Sequence, residues 1–135
     1  MYALTIIQPY AHLIAIGEKK VENRTWRPPH FRGPLAIHAG KSKGVLSPTD
    51  IRRYPDMAYG AVVAVAWRVT PVRLANLPEG YEWVVDHPHS FGPICWVLEE
   101  VKRLDKPIPC QGRQKLWRLP HEVDVDVAFA QELPF

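Results

Sequence analysis

The chain has 135 residues, 47% of them apolar and 23% charged, which suits one globular domain with a real hydrophobic core and excludes a disordered or fibrous chain. No apolar run approaches the roughly 20 residues of a membrane-spanning helix, and MYALTIIQPY reads as a first strand rather than a secretion signal, so a cytoplasmic chain with no membrane partner is expected. The net charge of +3 hides an asymmetry. Residues 1–54 hold nine Lys/Arg against three Asp/Glu and residues 55–135 hold eight against eleven, and a basic half suits an anionic partner such as nucleic acid or a nucleotide.

In chain order, YALTII (2–7) alternates as a strand does. Pro9 suits the first position of a helix, where its missing N–H costs nothing, and Leu13, Ile14 and Ile16 continue one apolar side to a stop at Gly17. VENRTW (21–26) and PLAIHA (34–39) read as strands. LSPTDIRRYP carries the best-marked helix start, with Ser47 at the N-cap, Pro48 after it and Asp50 placed for a capping box. Leu46 and Ile51 have the spacing of a hydrophobic staple, and Pro55 limits this helix to about two turns. GAVVAVAWRVT (60–70), PICWVLEEVKRL (93–104) and KLWRLP (115–120) are further strands, and they assign Trp67, Trp96 and Trp117 to the core. YEWVV (81–85) reads as a short strand or turn within a loop-like stretch. Val123, Val125 and Val127 alternate and either pair at an edge or pack on the body.

Fourteen prolines keep the helices short, and no repeat or linker divides the chain. One domain over residues 1–135 follows, with a core at about 3–120 and an extension at 121–135. The absence of a βαβ rhythm predicts an α+β fold: a mixed, mainly antiparallel sheet of about six strands curled towards a barrel, with two or more short helices. Cys95 and Cys110 make no CxxC pair and read as reduced thiols, while His87 and His89 in DHPHS read as loop chemistry, so neither a metal nor a cofactor is expected.

The stretch that carries chemistry is GEKKVENRTWR (17–27). On a strand, Glu22, Arg24 and Trp26 share one face and Val21, Asn23 and Thr25 the other. An acid, a base and an indole together suit a polar groove or a surface ladder of ion pairs better than a core. Lys19 lies in the turn before them and could swing to either side. In IHAGK, His38 faces away from Leu35, Ile37 and Ala39, with Lys41 just past Gly40. Glu22, Arg24, His38 and Lys41 converge if these two strands are neighbours. His38 reads either as a hydrogen-bonded structural histidine or as a proton shuttle.

These blocks in order resemble the ASCH (activating signal cointegrator homology) domain, a family of PUA-like β-barrels. The resemblance covers about residues 3–120. Its most specific part is G-x-K-x-[VI]-E-x-R-x-W, matched by Gly17, Lys19, Val21, Glu22, Arg24 and Trp26, with QP at 8–9, IHAGK at 37–41 and LW at 116–117 in support. It implies a PUA-like fold with a cleft lined by the Lys–Glu–Arg element and a role in handling RNA or modified nucleosides. One branch comprises N4-acetylcytidine amidohydrolases that use a Lys–Thr–Glu set. Its lysine falls on Lys19, but its threonine position holds Glu22 here. Another branch is associated with RNA cleavage.

The leading expectation is therefore a module that binds or processes RNA, single-stranded nucleic acid or a nucleotide ligand. Gln8, Lys19, Glu22, Arg24, Trp26, His38 and Lys41 form its ligand site, and Lys19 and Glu22 are its candidate catalytic pair. Arg24 can fork onto a phosphate, Glu22 can accept from an exocyclic amino group, and Trp26 or Tyr10 can stack on a base. The alternatives are a metal-independent hydrolase, acting on N4-acylcytidine or on RNA, and a protein-docking domain without a nucleic-acid role.

Overall fold

The computed structural model describes residues 1–27, 30–125 and 129. Six strands, β1 (Tyr2–Ile6), β2 (Val21–Arg24), β3 (Leu35–Ala39), β4 (Ala61–Arg73), β5 (Ile94–Pro109) and β6 (Leu116–Arg118), form one sheet in the order β2-β5-β4-β3-β1-β6. β1 runs parallel to β3, and the other four pairings are antiparallel. The long β4–β5 pair is the spine. Its register slips between Val62 and Ala64, and that of β3–β4 between Ile37 and His38, irregularities that bend a sheet. The sheet curls into a half-barrel, the mixed α+β architecture read from the sequence.

The period of two places side chains on both faces. Leu4, Ile6, Leu35, Ile37 and Trp96 fill one cluster, and Ala3, Ala36, Val65, Leu104 and Trp117 fill a second. Helix α1 (Tyr10–Ala15) buries all but its first residue and places Ala11, Ile14 and Ala15 in the first cluster; Pro9 is its N-cap, so the helix begins one residue later than expected. Helix α2 (Pro48–Arg53) has the predicted capping box between Ser47 and Asp50 but buries none of its residues, so Ile51 is exposed rather than stapled into the body.

Three local expectations are corrected. The segment 81–85 is neither strand nor simple turn but a 3-10 helix, Glu82–Asp86, anchored by the buried Val84. Trp67 is 37% exposed instead of core: it stands on β4 beyond the last consecutive buried residue and packs near Phe129, with ring centroids 5.7 Å apart. Strand 21–26 stops at Arg24. Val123 and Val125 pack into the second cluster, and Val127 lies outside the described residues.

Candidate functional site

Lys19 is positioned by the end of α1. Gly17 turns the chain at φ +85°, and the N–H groups of Glu18 and Lys19 both donate to the Leu13 carbonyl, at 2.9 and 3.0 Å. A left-handed residue closing a helix in this way satisfies the last carbonyls and sets the exit direction. β2 then pairs with β5, Glu22 opposite Trp96 and Arg24 opposite Ile94. Val21, on the other face, packs with Val72, Val84 and Val97, which ties β2 to β5.

Because β2 lies at one edge of the curled sheet and β1 near the other, the unclosed seam between them forms a cleft of about 510 Å³. Thr5, Ile6 and Ile7 line one wall, and Lys19, Glu22 and Arg24 the opposite one. Glu22 bridges both cations: Oε1 lies 3.5 Å from Lys19 Nζ, and Oε2 accepts from Arg24 Nη2 at 3.1 Å. The Lys19 side chain is only 5% exposed, Glu22 13% and Arg24 25%. Burial pushes the Lys19 ammonium below its ordinary pKa, and the Glu22 carboxylate opposes that fall. The Nε–H of Arg24 is buried and has no hydrogen-bond partner among the described residues. It is a spent desolvation cost awaiting an acceptor.

Of the rim, the sequence offers Tyr10 as a stacking face but not His89 or Phe91. Tyr10 stands 5.7 Å from Lys19 Nζ, His89 packs edge-on to Tyr10, and Phe91 lies 75% exposed at the mouth. Asn23 holds the loop that carries His89 and Phe91. Its Oδ1 accepts from the N–H groups of Phe91 and Gly92 at 2.8 and 2.9 Å, and its Nδ2 donates to the His89 carbonyl at 2.8 Å. The Lys20 N–H donates to His87 Nε2 at 3.1 Å, pinning the same loop again. Burial, then the nearby Lys19 charge, push the His89 imidazole below its ordinary pKa, so it is neutral at pH 7. Cys95 and Cys110 are free thiols.

The other predicted site residues lie elsewhere. Gln8 is fully buried and spends its amide on the scaffold, Nε2 donating to the Ala58 carbonyl at 2.7 Å and Oε1 accepting from the His12 N–H at 2.8 Å. Trp26, just past the end of β2, packs edge-on to Trp96 at 4.9 Å instead of facing the cleft, and its carbonyl accepts from Trp96 Nε1 at 3.2 Å. His38 and Lys41 do not join Glu22 and Arg24, because β5 and β4 stand between β2 and β3 in the sheet. His38 closes a directed chain: Trp117 Nε1 donates to Thr5 Oγ1 at 3.1 Å, Thr5 Oγ1 lies 3.2 Å from His38 Nδ1, and His38 Nε2 lies 2.8 Å from the Cys110 carbonyl. A carbonyl only accepts, so Nε2 carries the proton and the Thr5 hydroxyl donates to Nδ1. Burial pushes this imidazole below its ordinary pKa.

Residues 4–110 match the model of the ASCH domain. This chain belongs to the ASCH domain family. The family is generally associated with RNA binding. A crystal structure of ASCH from Zymomonas mobilis is similar over 96% of this chain and 93% of that one, with a TM-score of 0.53 and 17% sequence identity, a likeness of fold alone. No curated protein matches the chain. In this ASCH domain Lys19, Glu22 and Arg24 form one partly buried ion triad on the wall of the seam, with a loop from residues 87–92 folded over it. No helix among the described residues is long and apolar enough to cross a membrane.

Proposed function

We propose that the seam cleft binds a nucleotide unit of single-stranded RNA. The observation that supports this best is the unpaired Arg24 Nε–H beside a carboxylate that already engages both neighbouring cations. Glu22 orients Lys19 and Arg24, and the triad keeps one net positive charge for a phosphate or a base carbonyl. Tyr10 and Phe91 offer faces for a base, a contact worth about 1–3 kcal/mol in comparable sites. Fluorescence anisotropy with a labelled single-stranded RNA tests the reading. Affinity should fall steeply with salt, and Arg24→Met and Phe91→Ala should each weaken it at least several-fold. A flat salt response with both variants unchanged would transfer the domain to protein docking.

A second reading, metal-independent hydrolysis of N4-acylcytidine or RNA, draws on the buried Lys19 and the neutral His89 in one cleft. Incubating N4-acetylcytidine or RNA with the protein in chelator tests it. Absence of cytidine or cut RNA at high protein concentration removes it.

A further inference from the structure

A second hollow, of about 400 Å³, opens on the other side of Thr5, the residue whose side chain borders both. Lys41, Gln111, Arg113 and Gln114 line it, with His38 at its base. Its lining contains no carboxylate, whereas Glu22 stands in the first cleft. Neither Lys41 nor Arg113 has an ion-pair partner among the described residues.

This hollow is a built feature and not a chance gathering of surface cations. The segment 110–114 is drawn down onto the sheet by the bond from His38 Nε2 to the Cys110 carbonyl. It then passes so close to β1 and β3 that a Cβ on Gly112 would stand 2.7 Å from the His38 ring and 2.9 Å from Thr5 Oγ1. Only glycine fits there, so the backbone is seated against the Trp117–Thr5–His38 chain. The stem of Lys41 lies over Gly60, where a Cβ would meet it at 2.9 Å. The backbone that presents Arg113 and the two amides is thus held at Cys110 and Gly112, which lowers the ordering cost of binding.

Resting on the nucleotide-binding reading of the first cleft, we infer that the Lys41–Arg113 hollow is a second subsite that holds the phosphate and ribose of the adjoining nucleotide, so that the ligand is an oligonucleotide and not a free nucleoside. Arg113 supplies a fork and Lys41 a point charge for the phosphate. The amides of Gln111 and Gln114 both donate and accept, which suits a ribose 2′-hydroxyl that does the same. Thr5 is the ridge over which the strand passes from one subsite to the next.

The test compares two probes on the full chain: cytidine 5′-monophosphate, followed by NMR shift titration, and a labelled tetranucleotide RNA, followed by anisotropy. Lys41→Ala/Arg113→Ala replaces two exposed side chains, and its melting temperature should match that of the parent. The variant should bind the mononucleotide unchanged and lose at least tenfold in tetranucleotide affinity. Its salt slope should shrink by about 0.7, the amount for one lost phosphate contact on a single strand. Unchanged tetranucleotide affinity and slope in this variant, with Arg24→Met still weakening both probes, would overturn the second subsite and leave the first standing. If Arg24→Met changes neither probe, the first cleft itself is misread and the second subsite falls with it.

Discussion

Two partly buried polar groups, one lining the seam cleft and one reaching it at Thr5, are built on opposite principles. The Lys19–Glu22–Arg24 group is ionic, shares one anion between two cations and leaves an Arg24 donor unmet. The Trp117–Thr5–His38–Cys110 group is neutral, and each of its hydrogen bonds has a direction that follows from its ends. A closed neutral chain specifies where its loop sits and has nothing left to offer a ligand. An open ionic group is held under strain of desolvation and gains when an acceptor arrives. Burial of polar atoms alone therefore does not mark a site; the unspent donor does.

The sharpest way to break this contrast is Glu22→Ala. It leaves the Lys19 ammonium inside the protein without its anion and should cost about 3–5 kcal/mol in urea unfolding. A loss below about 1 kcal/mol would show that water already screens the triad. His38→Ala should come next, at about 2–4 kcal/mol, because it opens a cavity beneath Gly112 and strands the Cys110 carbonyl and the Thr5 hydroxyl. Asn23→Ala removes three hydrogen bonds from the loop 89–92 and should cost about 1–3 kcal/mol, with limited proteolysis now cutting near His89. An uncut loop would mean that the Lys20–His87 bond alone suffices.

Lys19→Met should fall within about 1 kcal/mol of the parent, since Glu22 keeps Arg24 as its partner and the apolar stem is preserved. Its RNA affinity should drop nonetheless. Acid offers the mildest probe. His12, His38, His87 and His89 all have pKa values below their ordinary range, mainly through burial. As the pH falls through about 6.5, the unfolded chain therefore takes up protons that the folded chain refuses, and stability declines from there downwards. Thermal melts at pH 7.5 and pH 5.5 read this directly; a higher melting temperature in acid would contradict it.

Much of the architecture was legible because it is local. Ser47 and Asp50 announce their capping box, Gly17 its helix stop, and the parity of Leu35, Ile37 and Ala39 their core face. Glu22 and Arg24 were placed on one face by the same parity. What stayed hidden depends on pairing across long separations. Nothing in VENR says that β2 will lie on β5 rather than on β3, and that choice decides whether His38 joins the cleft. Asn23 had the wrong parity for the groove, yet it meets the loop at 89–92 some seventy positions later, and no spacing rule connects them. Trp26 looked like a stacking surface because its partner Trp96 is equally remote.

The pairing of β1 with β6 has its own consequence. Tyr2, Ala3 and Leu4 lie opposite Arg118, Trp117 and Leu116, so three late residues shield the peptide groups of the first strand. Residues 4–110 carry the family match, but a fragment cut at Cys110 would strip that shield and present β1 to any second molecule with a strand to add. Such a fragment should scatter more light than the full chain and sediment as larger species, because β6 no longer covers the first strand.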